Sequence, residues 1–334
     1  MPSPLFTLLT GRTPRRGMEI VTPRRNFTHV ILPPATRRTL DEALAQVRNH
    51  SLIFSRWGLG ERHASGLGLA FNFAGPPGTG KTICAEAIAH ELGMSLLVVD
   101  YSEVESMWMG ETPKNIVSAF RAATEQNAVL FFDEADAIAG RRSAGAGLPQ
   151  DRESNMTVNV LLRELEAFNG VVIFATNLAA NFDPAFERRI RTHVRFEMPG
   201  PEERERIWRV QIHPHKTPLS NDVDFRLLAE RHPLSGGEIK NAVLKAAAAA
   251  ASEPGPDRSK RIHQQHLERA VAEVIDAKSV MQQSLFTDRP GHDPVAIALQ
   301  GMENRVRTAV LGAWVLAGAA LVAALTAVGV VLLR

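Results

Sequence analysis

Gly75-Pro76-Pro77-Gly78-Thr79-Gly80-Lys81-Thr82 is the stretch whose reading decides the fold. It fits the phosphate-binding pattern G-x-x-x-x-G-K-[ST]. The apolar run Leu69–Ala74 before it reads as a buried strand, and Ile83–Ala89 after it as a helix with an apolar face. A glycine-rich turn between strand and helix lets backbone N–H groups wrap a polyphosphate, and the helix N-terminus adds positive potential. In that frame Lys81 reaches the β- and γ-phosphates and the Thr82 hydroxyl ligates Mg²⁺.

Outward from the loop, strands and helices alternate. Leu96–Val99 is a strand ending at Asp100, Asn115–Glu125 a helix, and Val129–Phe132 a strand ending at Asp133-Glu134. Val158–Phe168 is a helix, Val171–Ala175 a strand ending at Thr176-Asn177, and Val194–Phe196 a last short strand. Upstream, Thr39–His50 is helical by the spacing of Leu40, Leu44 and Val47. Continuous apolar strands alternating with helices imply an α/β fold: a parallel sheet with helices on both faces. From Pro201 the pattern turns to helices only, with segments Glu202–Gln211, Asp224–Arg231, Gly237–Ala251 and His263–Ala277. The expected organisation is a flexible basic arm over 1–28, an α/β domain over 29–200, a small all-α lid over 201–280, a linker over 281–307 and a C-terminal tail over 308–334.

Composition narrows the rest. A net charge of +2 with 22% charged residues offers no electrostatic case for specific nucleic-acid binding. Arg12, Arg15, Arg16, Arg24 and Arg25 cluster near the N-terminus and read as a solvated arm. Cys84 is the single cysteine, so no disulfide forms within the chain, and its place in the helix after the phosphate loop suits a small buried apolar residue. His213 and His215 read as polar surface. The tail differs: from Ala309 to Leu333 no residue is charged. About 25 such residues make a helix of roughly 37 Å, longer than a ~30 Å hydrocarbon core. The expectation is a single-pass transmembrane helix contacting the lipid bilayer. The ATP-consuming part then lies in the cytoplasm, an orientation with which Arg305, Arg307 and Arg334 agree.

The second chemical motif is Val129-Leu130-Phe131-Phe132-Asp133-Glu134. A strand delivering Asp then Glu at its C-terminal end suits Mg²⁺-dependent hydrolysis, with Asp133 holding Mg²⁺ and Glu134 polarising the attacking water as general base. Asn177, at the end of the next strand, is placed to position that water. Arg188, Arg189 and Arg191 follow Asp183-Pro184-Ala185-Phe186 and read either as a solvated face or as arginines reaching a neighbour's γ-phosphate.

Together GPPGTGKT, FFDEAD, ATN and the segment Asn177–Arg191 resemble the AAA family of ATPases, over about residues 29 to 280. The resemblance implies ATP and Mg²⁺ as cofactors, a homo-oligomeric ring, usually a hexamer, and nucleotide bound between α/β domain and lid. It implies that Arg188 and Arg191 act in trans, that Ile83 joins the phosphate-loop contacts, and that Trp57, Gly58, Ile207 and Gly237 lie near the adenine. Met107-Trp108-Met109-Gly110 is similar to the family's first pore loop, with Trp108 gripping a polypeptide substrate and Met109 its adaptable neighbour. The chain contains no HExxH zinc motif. Two tasks stay open: a membrane-held motor that threads, unfolds or extracts proteins, or an assembly and disassembly ATPase for a dedicated bacterial machine, similar to those of contractile injection systems.

Overall fold

The computed structural model describes residues 18–62, 68–100, 111–137, 149–177, 183–186 and 188–286. The chain divides into two compact units, Met1–Ala272 and Glu273–Arg334. The sheet, the lid helices up to residue 272 and the site below belong to the first.

Six strands form the sheet: β1 (Met18–Val21), β2 (Leu69–Ala74), β3 (Ser95–Asp100), β4 (Ala128–Asp133), β5 (Val171–Thr176) and β6 (Thr192–Arg195), in the order β1-β3-β4-β5-β2-β6. All neighbours except β1 are parallel. The helices are α1 (Pro34–Arg48), α2 (Leu59–Arg62), α3 (Lys81–Glu91), α4 (Glu111–Glu125), α5 (Pro149–Ala167), α6 (Pro201–Gln211), α7 (Phe225–Arg231), α8 (Gly236–Ala251) and α9 (Gln264–Phe286), with a π-helical turn over Ser51–Arg56.

Side chains alternate across a strand, so one run feeds two cores. Ala70, Leu97, Val99, Leu130, Phe132, Val172 and Phe174 pack with α4 residues such as Phe120 and with α5 residues such as Leu161. Their neighbours Leu69, Phe71, Phe73, Leu96, Phe131, Ile173 and Ala175 pack with Leu40 and Leu44 of α1 and Cys84 and Ile88 of α3. Burial on both faces is why these strands read as unbroken apolar runs. Cys84 is fully buried, and that burial pushes its thiol pKa up, as suits an inert packing residue.

Two expectations need correction. Residues 18–28 are not a free arm. Met18–Val21 pairs antiparallel with Leu96–Val99, so the sheet is mixed rather than parallel throughout. A four-residue strand with one half-exposed apolar side chain, Ile20, is too short to show a period. The linker expected from 281 also starts later, because α9 runs on to Phe286.

The residues after Pro201 pack as helices. Trp208 of α6 stacks on Phe225 of α7 with ring centroids 6.3 Å apart, and Ile239, Val243 and Ala246 of α8 are buried beside them in the lid. Asp224 caps α7 by accepting from the Leu227 amide. Ser235 and Glu238 form a reciprocal capping box at the start of α8.

Candidate nucleotide site

Strand order assembles the site. In the parallel part of the sheet the C-terminal ends of β2, β5 and β4 share one edge. Gly75, Asn177 and Asp133-Glu134 therefore emerge side by side, with Asn177 between the other two. Ligands of open α/β sheets bind at this edge.

The loop itself is held in an unusual backbone shape. Gly80 caps α3 with φ +103, a left-handed value that a side chain rarely adopts, and Gly78 has φ +76. Together they turn the chain so that α3 begins at Lys81 with its N-terminus toward the cavity. Gly78 also carries the lid: its carbonyl accepts from the Gly237 amide at 2.9 Å. A Cβ on Gly237 would stand 3.2 Å from the Gly78 Cα, which explains glycine in the Ser235-Gly236-Gly237-Glu238 turn.

Lys81 is buried, and its Nζ donates to three oxygens: the Gly75 carbonyl at 2.7 Å, the Pro76 carbonyl at 3.0 Å and Asn177 Oδ1 at 2.8 Å. Burial lowers its pKa, opposed by the charges of Asp133 and Asp136. The Thr82 hydroxyl donates to Asp133 Oδ2 at 3.4 Å. Two neighbouring ligands of an octahedral Mg²⁺ with bonds of about 2.1 Å stand about 3 Å apart, and Mg²⁺ takes one or two protein oxygens beside phosphate and water. Thr82 and Asp133 fit that ion.

Glu134 is exposed and takes φ +51, a left-handed conformation uncommon outside glycine, while its amide donates to Asp133 Oδ1 at 3.0 Å. The one-turn helix Ala135–Ala137 follows. Here sequence reading missed a residue. Asp136 Oδ1 accepts from the fully buried Thr176 hydroxyl at 3.0 Å, tying the turn after Glu134 to the end of β5. The spacing D-E-x-D was visible, but nothing local says which strand Asp136 meets.

A cavity of about 370 Å³ opens beside the loop, lined by Gly78, Thr79, Gly80, Lys81, Thr82 and Ile83. Ile207 of α6 and Gly237 of α8 also line it. Trp57 and Gly58 do not. Trp57 follows the π-helical turn and is 65% exposed. The wall expected from them is supplied by His29, Val30 and Ile31, just before α1. The apolar Val30-Ile31 pair followed by two prolines was the available signal.

The arginines separate by partner. Arg189 donates through Nε to Glu166 at 2.6 Å and through Nη1 to the Ala185 carbonyl at 2.9 Å, so it is held within its own chain. Arg188 and Arg191 are exposed, and all three line a second cavity of about 200 Å³. Trp108 and Met109 lie outside the described residues, as do the tail from 309 and most of the loop 141–150. Among the described residues no helix is long and apolar enough to cross a membrane, and no group of three or more His, Cys, Asp or Glu side chains is gathered to hold a metal ion. His213 uses Nδ1 to accept backbone amides of His215 and Lys216, as a surface turn does.

The family described as "ATPase family associated with various cellular activities (AAA)" matches residues 71–199, the span from β2 to the end of the large domain. The chain carries an AAA ATPase domain. Relatives extend the likeness beyond it. The chain is 35% identical over 264 residues to the ATP-dependent zinc metalloprotease FtsH 3 of Sphaerobacter thermophilus, covering 75% of this chain and 53% of the relative. It is 34% identical over 217 residues to a cell division cycle protein 48 homolog of Archaeoglobus fulgidus, covering 60% and 29% respectively. It is 33% identical over 223 residues to the 26S proteasome regulatory subunit 8 homolog of Schizosaccharomyces pombe, covering 64% and 54%. The chain thus spans about half or less of these relatives. The matched span includes the sheet edge where Lys81, Thr82, Asp133 and Glu134 lie together with Asn177.

Proposed function

We propose that this AAA ATPase couples hydrolysis of Mg·ATP, in a ring of copies of the chain, to pulling on a protein substrate. The observation that carries the reading is the convergence of Lys81, Thr82, Asp133, Glu134 and Asn177 at the ends of three neighbouring strands, closed by the lid at Gly78–Gly237. Relatives named as a metalloprotease and a proteasome subunit support a protein substrate.

In this reading the loop amides and the α3 N-terminus hold the phosphates, and Lys81 meets the β- and γ-oxygens. Thr82 and Asp133 would hold Mg²⁺, which would supply positive charge beside the phosphates. Asn177 orients a water. Glu134 takes its proton as the water oxygen bonds to the γ-phosphorus, the bridging P–O bond breaks and ADP leaves with the electron pair. Arg188 and Arg191 of an adjacent copy stabilise the charge on the transferred group. Trp108 and Met109 grip the polypeptide in the ring's pore, and the apolar segment 309–333 holds the ring at a membrane.

The test is Trp108→Ala. ATP turnover should stay within about threefold of wild type while unfolding of a tagged protein substrate is lost. Full unfolding with Trp108→Ala would overturn threading and favour non-processive remodelling of a dedicated partner. Glu134→Gln should bind ATP without turnover and hold substrate for identification.

A further inference from the structure

The segment between β1 and α1 has no role in the reading above, yet it is fastened to the nucleotide helix. Glu86 sits on α3 one helical turn beyond Thr82, on the same face. Its Oε1 accepts the amides of Arg24 at 2.9 Å and Arg25 at 3.1 Å. Upstream, β1 is paired with β3; downstream, His29, Val30 and Ile31 line the cavity. Residues 18–31 are therefore a strap from the sheet edge, across α3, to the cavity.

The strap brings a charge with it. Arg25 lines the cavity together with Gly78–Ile83 and is half-exposed there. Its Nη1 stands 3.6 Å from Glu86 Oε2, the long end of an ion pair. A guanidinium has five N–H donors in a planar fork, and this contact engages one edge of it. The cavity lining also holds Lys81 and Lys240, with no Asp or Glu among the described residues that form it. A pocket so lined favours a polyanion.

We propose that Arg25 is a nucleotide-binding residue: it donates to the polyphosphate of bound ATP and so links the strap to nucleotide occupancy. This rests on ATP being the ligand, and wild-type binding checks that first; if the wild type binds no ATP, that reading fails with this one. With ATP binding established, Arg25→Ala is measured in the full chain by competition against a fluorescent ATP analogue. Affinity for ATP should fall about tenfold, which is about 1.4 kcal/mol, and affinity for adenosine should not change. Equal loss for adenosine, or less than twofold loss for ATP in a variant that melts like wild type, overturns the proposal. Glu86→Gln keeps an oxygen for the two amides and removes the ion pair. It should bind ATP at least as tightly as wild type; a loss matching that of Arg25→Ala would make the strap a scaffold and overturn the direct contact. ATP should also slow hydrogen exchange over residues 18–25 in wild type and leave it unchanged in Arg25→Ala.

Discussion

Lys81 Nζ lies 2.8 Å from Asn177 Oδ1. An ammonium only donates, so the atom facing it is the amide oxygen, and the Asn177 NH₂ is turned away with two donors to offer. One side chain thus accepts from Lys81 and keeps two donors for a further partner. Asn177→Ala removes both. Turnover should fall about 100-fold, on the scale of one lost oriented donor in a dry site, while ATP affinity falls less than tenfold. Steady-state turnover and direct binding separate the two effects. A larger loss in binding than in turnover would make Asn177 an anchor for Lys81 alone.

The Thr176–Asp136 hydrogen bond predicts a coupling between stability and catalysis. Thr176→Val keeps the shape and leaves the Asp136 carboxylate without the hydroxyl, and Asp136→Ala leaves a buried hydroxyl without its partner. A buried donor stripped of its acceptor costs about 1–3 kcal/mol, so Asp136→Ala should unfold at lower denaturant concentration. Both variants should lose turnover with ATP affinity nearly intact, because the turn carrying Glu134 is no longer pinned to β5. Normal turnover in Asp136→Ala would show that Glu134 needs no such tie.

The three arginines should behave unequally. Arg189 is committed to Glu166 and Ala185, and its pair is partly exposed, so its loss is a packing effect of about 1 kcal/mol or less. Arg189→Ala should keep most ATPase activity and melt slightly earlier. Arg188→Ala and Arg191→Ala, whose arginines are read as serving the neighbour's γ-phosphate, should lower turnover by about 10³-fold or more. Mixing each with Glu134→Gln chains tests that role: an arginine acting in trans gives activity losses that depend on which copies carry which change.

The apolar segment makes its own prediction. Removing residues from Ala309 onward should move the protein from the membrane to the soluble fraction, with ATP binding retained. Membrane association that survives the deletion would place the anchor elsewhere.

Much of this protein is written locally in its chain. The phosphate loop, the strands that end at Asp133 and Thr176, and the helices after Pro201 follow from continuous apolar runs, the 3.6-residue period and turn chemistry within a few positions. Those rules act on neighbours in sequence, so a short window suffices. What they do not carry is which residues meet across long separations. Lys81 and Asn177 are 96 residues apart and Thr176 and Asp136 are 40 apart, and strand order alone brings them together. The same holds where expectation and structure part: Val30 and Ile31 take the cavity wall expected of Trp57 and Gly58, and Met18–Val21 joins the sheet because β3 leaves it an open edge to pair with. The octapeptide 75–82 determined that a phosphate is bound; the packing of strap, sheet edge and lid around it decided which side chains share the site, since only a closed tertiary structure fixes contacts between segments that no local pattern relates.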